Sequence, residues 1–416
     1  MTGSNPGTNQ IEALIEKYSS GLDANYGASI PPPTSAPVVL LTGSTGHLGA
    51  HLLAALLQDD RVERVYALNQ RVEGPQSLHE RQLERFKDVG LDPALLESEK
   101  LGLLPGDLTQ PGLNLDRGRY GLLCGSVNIV IHTAWNLDFN VALNEFEPHI
   151  QGTRNLIDLL KSGPNASTAR FVFTSSTNAV QGWDKSRGAV TEGILTDASV
   201  ALGGGYGEAK YISERILAKS DLTTTSVRIG QISGGRPKGA WATTHWLPIL
   251  VKSSLALGGL PQAEGFVSWV PADTTATALV DVALGSAAPP AALNLLHPKP
   301  IDWNTVVEGI RAAIKEVLGR ELELVSLSEW ITKVEARGAP NVTAETLADI
   351  PAIKLLDFFR KASQMATTAN EFGGVVASFT TDKTQSASDT VAQLLQIGPD
   401  DVRSWVQYWH DVGFLV

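Results

Sequence analysis

The sequence has little of what would place it outside the ordinary globular proteins. Its 416 residues include a single cysteine, Cys124, which excludes an internal disulfide and a cysteine-rich metal site and suits a reducing cytosol. No run of about 18 uninterrupted apolar residues is present, so we expect no membrane-spanning helix. The opening residues, MTGSNPGTNQ, lack the basic start and the apolar stretch of a signal peptide. We therefore predict a cytoplasmic protein without a membrane partner.

Positive charge is also scarce. The formal net charge is −11, which disfavours nucleic acid as a partner, because phosphate backbones select basic surfaces. The apolar fraction is 43% and the charged fraction 19%, a balance that is typical of a chain that buries a sizeable core. At roughly 150 residues per domain, the length indicates two or three domains. We expect the chain to act as a monomer.

Strand and helix patterns alternate along most of the chain after a distinct N-terminal segment. Residues 11–20 carry apolar positions at helical spacing, and a stretch rich in helix breakers runs from Gly27 to Pro37. This segment has two interpretations, a tether to an upstream domain or a frayed terminus. From Val38 onward, short apolar runs suited to buried strands alternate with helical patterns. The alternation predicts an α/β fold with a doubly wound parallel sheet, because parallel strands need crossover connections.

The strand signal weakens after about residue 290, and helices are predicted over residues 303–318, 327–337, 344–363 and 385–413. We divide the chain into three segments on this basis. They are an N-terminal helix with a proline-rich linker (1–36), a Rossmann-type α/β domain with inserted segments of the third segment's lobe (37–290), and a smaller, mostly helical domain (291–416).

A glycine-rich turn follows the first predicted strand of the alternating region and opens its first helix. Residues 42–49, TGSTGHLG, place Gly43, Gly46 and Gly49 at the spacing Gly-x-x-Gly-x-x-Gly. In this context the first glycine permits a tight turn, the second lets backbone approach a pyrophosphate, and the third allows close packing of helix and strand. The N–H groups and the dipole at the helix N-terminus favour the anion. The pattern predicts a dinucleotide site.

The end of the second predicted strand indicates which dinucleotide is bound. Enzymes that use NAD usually carry a carboxylate there, which bonds the ribose 2′-hydroxyl. Residues 66–71, YALNQR, contain no acid, whereas Arg71 and Arg81 can face a 2′-phosphate through charge-assisted bonds. We predict NADPH as the cofactor. Asp107, after the third strand, has two interpretations, a bond to the adenine ring or the cap of a turn.

Tyr206 and Lys210 form a Tyr-x-x-x-Lys pair on one helix face. A tyrosine phenol has a pKa of about 10, and we expect the lysine cation and the nearby helix N-terminus to lower it. Residues 171–176, FVFTSS, end a buried strand in hydroxyls at the edge where open α/β sheets bind ligands. Ser176 is predicted to bond a substrate carbonyl oxygen, with Ser175 as the alternative. Ser176, Tyr206 and Lys210 are the candidate catalytic residues.

Other polar and aromatic residues have a structural interpretation beside the functional one. His132 lies in a predicted buried strand, and we expect a core histidine rather than a catalyst. Trp135, His245 and Trp246 either line an aromatic substrate pocket or fill the core. Residues 79–87 mix cations and carboxylates. This mixture indicates a solvated helix face first, and only secondarily a landing site for an acidic carrier domain. No metal site is predicted.

In combination, these motifs resemble the extended short-chain dehydrogenases and, more narrowly, the terminal thioester reductase domains of nonribosomal peptide synthetases and of fungal synthetase-like enzymes of the carboxylic acid reductase type. The resemblance rests on residues 131–135 (IHTAW), 146–154 (FEPHIQGTR), 246–248 (WLP), 267–273 (VSWVPAD), 352–358 (AIKLLDF) and 405–409 (WVQYW). It covers nearly the whole chain from residue 11. In one departure, Gln70 separates Asn69 from Arg71, whereas the family often has an arginine directly after the asparagine. In another, Ala209 stands where many relatives have serine.

The resemblance implies NADPH-dependent reductive release of an acyl group that is held as a thioester on the phosphopantetheine arm of a carrier domain, in the same parent polypeptide. The product is an aldehyde, or an alcohol if the aldehyde is reduced again. Lys210 is implied to tune the tyrosine and to bind the nicotinamide ribose. The resemblance also implies cofactor contacts from Thr45, His47, Leu48, Asn69, Leu108, Thr133, Ala134 and Ile229.

Two alternative functions stay open at this point. An extended short-chain reductase or epimerase would act on a free small-molecule carbonyl compound and would not depend on a pantetheine arm. A non-catalytic NADP-binding sensor would bind the cofactor without turnover, although a sensor has no need of the Tyr206–Lys210 pair.

Overall fold

A computed structural model of the chain describes residues 5–22, 36–72, 74–338, 342–366, 370–372 and 378–416. The described residues divide into two compact units. The first is drawn from Met1–Gly230, Asp273–Leu296 and Ala377–Gln393, and the second from Gln231–Ala272, His297–Val376 and Leu394–Val416. The predicted proline-rich linker lies, apart from residues 36 and 37, outside the described residues. The division into functional domains at residues 36 and 290 stays a prediction.

The strands and helices of the described residues are numbered in chain order. The strands are β1 (Val38–Thr42), β2 (Arg64–Gln70), β3 (Leu101–Gly106), β4 (Ile129–His132), β5 (Arg170–Ser176), β6 (Thr223–Ile229), β7 (Ile232–Ser233), β8 (Gly259–Gln262), β9 (Phe266–Val267), β10 (Val270–Pro271), β11 (Ala292–Leu295), β12 (Ile301–Asp302) and β13 (Glu323–Ser326). The helices are α1 (Pro6–Ser19), α2 (His47–Gln58), α3 (Leu78–Val89), α4 (Arg117–Ser126), α5 (Glu147–Lys161), α6 (Gly205–Ala218), α7 (Trp246–Leu257), α8 (Ala272–Leu284), α9 (Trp303–Leu318), α10 (Leu327–Arg337), α11 (Ala344–Asp349), α12 (Leu356–Met365), α13 (Asp382–Ala387), α14 (Asp389–Ala392) and α15 (Pro399–Asp411).

Within the described ranges, the first unit contains a seven-stranded sheet in the order β11-β6-β5-β4-β1-β2-β3. Every neighbouring pair in this sheet is parallel. All residues of β1 and of β4 are buried, as expected for parallel strands covered on both faces. From β3 to β6 the order is that of the doubly wound dinucleotide-binding fold, which binds its ligand where the order reverses, beyond the carboxyl ends of β1 and β4. The predicted fold class is confirmed.

The N-terminal helix α1 begins earlier than the apolar spacing predicts. The Asn5 side chain accepts a hydrogen bond from the Gly7 N–H at 2.9 Å and caps the helix. Ile11 and Ile15 are buried in the core of the first unit. The guanidinium of Arg154 donates to the carbonyl oxygen of Tyr18 at 2.8 Å. The described part of the N-terminal segment is therefore packed rather than frayed.

Strand β11 is not predicted by the sequence pattern. It pairs with β6 although it lies beyond the point where the strand signal weakens. Its four residues are all buried, and so short an apolar run does not distinguish a strand from a buried helical segment. The Asn294 side-chain amide donates to the carbonyl oxygens of Val190 at 3.1 Å and Thr380 at 3.0 Å. Contacts that are distant in sequence therefore define this strand.

The second unit contains the short strand pairs β7–β10 and β8–β13, which are parallel, and β9–β12, which is antiparallel. The predicted helices 303–318 and 327–337 are α9 and α10. The predicted helix 344–363 is interrupted by a 3₁₀ turn that begins at Pro351, because proline has no N–H to continue an α-helix. The predicted helix 385–413 is divided among α13, α14 and α15, and Pro399 begins the last of these.

The core of the second unit is rich in tryptophan. Its tryptophans are Trp241, Trp246, Trp269, Trp303, Trp330, Trp405 and Trp409. The indole N–H groups of Trp303, Trp405 and Trp409 donate to carbonyl oxygens, that of Trp405 to Gly234 at 3.1 Å, whereas the buried indole N–H of Trp269 has no partner among the described residues. Of the helices that the structure describes, none combines the length and the apolar character that a membrane crossing demands.

Candidate active site

The glycine-rich turn between β1 and α2 leaves room for a ligand at the helix N-terminus. Gly43 has a φ of +79°, a conformation that favours glycine. A Cβ added at Gly49 would lie 2.0 Å from the Gly43 carbonyl oxygen, so no side chain fits where α2 meets the turn. No side-chain hydrogen bond caps α2 at Gly46. His47 and Leu48 form the first turn of this helix, and the arrangement suits a pyrophosphate at the helix N-terminus.

Asn69, at the end of β2, forms hydrogen bonds with the glycine-rich turn. Its side-chain oxygen accepts hydrogen bonds from the N–H and the hydroxyl of Thr45, both at 3.2 Å. Its side-chain N–H donates to the Ser44 hydroxyl at 2.8 Å, and that hydroxyl donates to Gln82 of α3 at 2.7 Å. Asn69 is buried. The structure thus gives this predicted cofactor residue a role in shaping the turn.

The predicted cofactor residues Thr133 and Ala134 lie against the same turn, just after β4. Their N–H groups donate to the Thr42 hydroxyl oxygen at 3.1 and 3.2 Å, and the Thr133 hydroxyl donates to the Thr42 carbonyl oxygen at 2.6 Å. A Cβ added at Gly43 would lie 2.8 Å from the Ala134 nitrogen. The ends of β1 and β4 are therefore locked together beside the dinucleotide site. Sequence reasoning missed Thr42.

The Thr42 hydroxyl also defines the protonation of His132. Because its oxygen accepts two backbone N–H groups, we assign its proton to the bond with His132 Nδ1, at 2.8 Å. The histidine proton then lies on Nε2, which is buried without a hydrogen-bond partner among the described residues. Burial, with Lys210 as the next cause, lowers the pKa of His132 well below its usual value. His132 is a neutral core histidine, as expected.

The arginines proposed for the 2′-phosphate lie at the end of β2. Arg71 is exposed just after the strand. Arg81 of α3 donates to the Gln70 carbonyl oxygen at 2.8 Å, and its buried Nε has no partner among the described residues. One helix turn further, Arg85 donates from Nε to the Thr45 carbonyl oxygen at 3.1 Å. Sequence reasoning missed the contact of Arg85 with the turn, although its spacing from Arg81 places both on one helix face.

The predicted adenine contacts lie after β3. Asp107 Oδ1 accepts hydrogen bonds from the N–H and the hydroxyl of Thr109 at 2.9 and 2.8 Å, so this residue caps a turn, as one interpretation predicts. The Leu108 carbonyl oxygen accepts from the Asn155 side chain at 2.7 Å. Ile229 ends β6 and is buried. The contacts of these residues with a cofactor stay predictions.

Ser176 and Tyr206 are brought together by close packing of α6 against the segment after β5. A Cβ added at Gly207 would lie 2.1 Å from the Asn178 carbonyl oxygen, so only glycine allows this approach. The hydroxyl of Ser176 lies beside the phenol of Tyr206 and acts to lower the pKa of that phenol. Ser176 Oγ also accepts a hydrogen bond from the Asn178 N–H at 3.1 Å. Two hydroxyls thus lie side by side at the carboxyl edge of the sheet.

The pKa of Tyr206 moves opposite to the direction that the sequence led us to expect. Burial raises the pKa of its phenol to about 12, and the hydrogen bond with Ser176 acts in the other direction. The Lys210 ammonium lies 5.8 Å from the centre of the Tyr206 ring. Desolvation disfavours the phenolate and outweighs the effect expected of the lysine. At neutral pH the phenol carries its proton.

Lys210 is buried among aromatic rings. Its Nζ donates to the Thr174 carbonyl oxygen at 2.6 Å and lies 3.9 Å from the centre of the Trp135 ring and 4.7 Å from that of Phe173. Burial lowers the pKa of Lys210 well below its usual value, while the carboxylate of Glu214 acts to raise it. Trp135, which the sequence predicts in a substrate pocket, is thus brought together with the lysine that the sequence predicts to be catalytic.

Ser175 has a different environment from Ser176, although both side chains meet helix α6. Its hydroxyl donates to the Glu214 carboxylate at 2.5 Å. Glu214 in turn accepts from the buried guanidinium of Arg228 at 2.6 Å. This hydroxyl already serves a buried ion pair. The structure therefore favours Ser176 over Ser175 as the hydroxyl beside the reacting carbonyl.

His245 and Trp246 lie in the second unit. The His245 Nδ1 accepts a hydrogen bond from the Trp241 indole N–H at 3.0 Å. The ring centre of Trp246 lies 5.7 Å from that of Trp269 and 5.9 Å from that of Trp303. These contacts place both residues at the aromatic core of their unit, and their contact with a substrate stays a prediction.

Residues 41–279 match the NAD-binding family model described as "Male sterility protein". The chain belongs to this family. Membership makes a nicotinamide dinucleotide the class of cofactor, and the glycine-rich turn fits it, since Gly43 and Gly49 leave no room for side chains where the pyrophosphate of such a cofactor approaches. Under this assignment Thr45, Thr133 and Ala134 border the same cradle.

Relatives of this family member include longer fungal reductases. The adenylate-forming reductase Nps11 of Serpula lacrymans var. lacrymans (strain S7.9) is 45% identical over 420 residues, which are 98% of this chain and 38% of that protein. The carboxylic acid reductase of Neurospora crassa is 31% identical over 415 residues, 96% of this chain and 37% of that protein. This chain therefore spans less than half the length of the curated relatives that it matches.

The same fold occurs in a solved reductase domain. The terminal R domain from the myxalamid PKS–NRPS biosynthetic pathway has a TM-score of 0.78 to this chain, at 21% identity, with 98% of each chain covered. The likeness extends over both units and shows that their folds are those of that domain.

Proposed function

We propose that this chain reduces an acyl thioester with NADPH and releases the acyl group as an aldehyde. The observation that carries the proposal is the position of the Ser176 hydroxyl beside the Tyr206 phenol at the carboxyl edge of the sheet, where it acts to lower the pKa of that phenol. Two adjacent hydroxyls at that edge suit a carbonyl oxygen that gains negative charge during reduction. The names of the relatives, adenylate-forming reductase and carboxylic acid reductase, describe the reduction of an activated acid.

The preference for NADPH rests on the end of β2. Arg71 is exposed there, Arg81 has a buried Nε without a partner among the described residues, and residues 66–71 contain no carboxylate. Arginine suits a 2′-phosphate because its planar group bonds phosphate oxygens in pairs. When bound, the reduced nicotinamide supplies a hydride for the carbonyl carbon.

The residues of this chain supply the proton. The thioester carbonyl oxygen accepts hydrogen bonds from Ser176 and Tyr206, and Tyr206 transfers its proton to that oxygen as charge develops. The raised pKa keeps the phenol protonated before the reaction, which is the state that a proton donor needs. The resulting hemithioacetal then loses its hydroxyl proton as the carbon–sulfur bond breaks. The products are an aldehyde and the pantetheine thiol.

Lys210 orients the site through its ammonium group. The group has three donors, of which the Thr174 carbonyl oxygen accepts one. The resemblance to the short-chain dehydrogenases assigns the remaining donors of Lys210 to the nicotinamide ribose. Burial lowers the pKa of Lys210, and such partners act with the Glu214 carboxylate, one helix turn away, to raise it again and keep the group charged.

A carrier domain presents the acyl group on its phosphopantetheine arm, in the same parent polypeptide. Support comes from the greater length of the relatives and from a structural neighbour described as the terminal R domain of a PKS–NRPS pathway. The chemistry agrees, since a carboxylate resists hydride whereas a thioester carbonyl is electrophilic and has a good leaving group. A tether also raises the effective concentration of the acyl group towards about millimolar.

The test supplies one acyl group in three forms, as free acid, as a pantetheine thioester and on a carrier domain. We expect kcat/KM to be highest for the carrier, lower for the pantetheine thioester and undetectable for the acid. A free ketone or sugar nucleotide that is reduced faster than every thioester would instead establish the free-substrate alternative. Binding of NADPH without turnover of any carbonyl compound would establish the sensor.

A further inference from the structure

The segment of residues 135–142, after β4, carries two exposed apolar side chains, one of which contacts the proposed proton donor. Leu137 is 60% exposed and Phe139 is 58% exposed. The ring centre of Phe139 lies 4.6 Å from that of Tyr206, with an angle of 58° between the rings. Single apolar residues at a surface are ordinary, but neighbouring ones at a reactive group indicate a ligand-binding surface.

Both ends of this segment are attached to the site. Before it, the Ala134 N–H donates to the Thr42 hydroxyl oxygen, beside the glycine-rich turn. At its end, a Cβ added at Gly205 would lie 2.5 Å from the carbonyl carbon of Ala142 and 2.7 Å from the carbonyl oxygen of Val141. Gly205 begins α6, the helix of Tyr206. The segment therefore runs from the dinucleotide cradle to the helix of the proton donor.

Local hydrogen bonds order the segment without using its apolar side chains. The Asn136 side-chain oxygen accepts from the Asp138 N–H at 3.1 Å, and the Asp138 carboxylate accepts from the Asn140 N–H at 2.9 Å. Alternate polar side chains thus bond the backbone of the segment itself. Leu137 and Phe139, between them, are left at the surface. A binding surface that is ordered in advance loses less conformational freedom when a ligand binds.

We propose that Leu137 and Phe139 are the acyl-recognition residues of this site and that they select an apolar acyl group, a medium-length alkyl chain or an aryl group. The inference rests on the proposed function and adds the substrate class to it. A carbonyl bonded to Tyr206 places the first carbons of the acyl chain near the tyrosine ring, whose centre lies 4.6 Å from that of Phe139. The carboxylate of Asp138 in the same segment disfavours acyl chains that are themselves anionic.

The test compares S-octanoyl-pantetheine with S-acetyl-pantetheine in the wild-type chain and in the double variant Leu137→Ala/Phe139→Ala. We expect the double variant to lower kcat/KM for the octanoyl thioester by about 10- to 100-fold, the range that loss of contact with large apolar side chains produces. The acetyl thioester, which is too short to gain from these side chains, should change by less than about threefold. Leu122→Ala is the matched control, because Leu122 is 52% exposed on α4, and both thioesters should be unaffected.

Binding provides a readout that does not depend on turnover. Calorimetry with the unreactive thioether S-octyl-pantetheine should show weaker binding to the double variant by a similar factor, at an unchanged circular dichroism spectrum. Equal losses for both thioesters would show that the segment acts on Tyr206 rather than on the acyl group, and no loss for either would also overturn the inference. In both cases the wild-type chain still reduces thioesters and the proposed function stands. A wild-type chain that reduces neither thioester would overturn the proposed function and this inference with it.

Discussion

The ammonium nitrogen of Lys210 lies 3.9 Å from the centre of the Trp135 ring. A cation over an aromatic face is attracted by the ring, more strongly where water is excluded. Trp135 in turn stacks on His149, with ring centres 5.0 Å apart. Burial and the lysine lower the pKa of His149 to about 4, so the histidine stays neutral and adds no charge against Lys210. Trp135 therefore positions Lys210, the proposed catalytic lysine.

Replacing Tyr206 by phenylalanine removes the proton donor alone. We expect kcat for thioester reduction to fall by about 10²- to 10⁴-fold, the usual contribution of a general acid. Binding of NADPH, measured by calorimetry, should be unchanged. The control is Tyr211→Phe on the same helix, whose hydroxyl accepts from Arg215 at 2.8 Å and should not affect turnover. Near-normal activity of Tyr206→Phe would remove this residue from the mechanism.

The double variant Arg71→Ala/Arg81→Ala tests the choice of cofactor. Each lost bond between a guanidinium and a phosphate weakens binding by about 10-fold or more. Calorimetry should therefore show NADPH bound at least about 10-fold more weakly, while the affinity for NADH changes by less than about twofold. Arg64→Ala is the control, since Arg64 begins β2 at its opposite end and donates to the Glu99 carbonyl oxygen. Equal affinities of the wild-type chain for NADPH and NADH would contradict the assignment.

Gly49→Ala tests the fit of α2 to the glycine-rich turn. The new Cβ would lie 2.0 Å from the Gly43 carbonyl oxygen, so the turn must move and binding of the dinucleotide should be lost. Gly121→Ala in α4 is the matched control, because its Cβ would contact nothing within 4 Å. That substitution should stabilise the chain by about 0.5–1 kcal/mol through helix propensity. Calorimetry with NADPH and thermal unfolding distinguish the two variants, and normal cofactor binding by Gly49→Ala would refute the packing argument.

Thr42→Val removes the hydroxyl that joins β1 to β4. The N–H groups of Thr133 and Ala134 and the Nδ1 of His132 all lose their partner. Unsatisfied buried groups cost about 1–3 kcal/mol each, so the free energy of unfolding should fall by at least about 2 kcal/mol.

Thr225→Val provides the matched control for this substitution. The buried Thr225 hydroxyl has no hydrogen-bond partner among the described residues, so its removal should leave stability unchanged or improve it. Urea unfolding of the two variants measures the difference, and similar values for both would show that the bonds of Thr42 contribute nothing.

Glu371→Gln tests a buried carboxyl in the second unit. Burial raises the pKa of Glu371 from 4.5 to about 7, against bonds with Ser268. The folded chain then binds this proton more tightly than the unfolded chain, so the contribution of this carboxyl to stability is full below about pH 4.5 and is lost as the pH rises through about 7. The glutamine variant lacks this loss. Its free energy of unfolding should exceed that of the wild type by on the order of 3 kcal/mol at pH 8, but not at pH 4.5.

Urea unfolding of Glu371→Gln at the two pH values gives the comparison. Glu345→Gln serves as the control, since Glu345 is exposed on α11. The difference in free energy of unfolding between Glu345→Gln and the wild type should be the same at both pH values. A Glu371→Gln variant with the same pH dependence as the wild type would show that this carboxyl does not titrate in that interval.

Local spacing was sufficient for the fold class and for the principal motifs. The buried run of β1, the glycine turn at Gly43 and the pair of Tyr206 and Lys210 each depend on residues within a few positions of one another. A helix or a turn requires only such short-range regularity. Strand β11, at one edge of the seven-stranded sheet, is not predicted by local spacing, because it is a strand only through pairing with β6.

The electrostatics of the site were decided by tertiary structure. The sequence predicts a lowered pKa for Tyr206, but the buried phenol has a raised one, because desolvation depends on what packs around a group from distant parts of the chain. Likewise, the pattern FVFTSS offers Ser175 and Ser176 as near equals. Only the partners that folding brings to each, Glu214 for one and Tyr206 for the other, separate their roles. The sequence by itself determines which elements form and which reactive residues they carry. The protonation and the partners of those residues are determined only by the fold, because they depend on contacts between segments far apart in the chain.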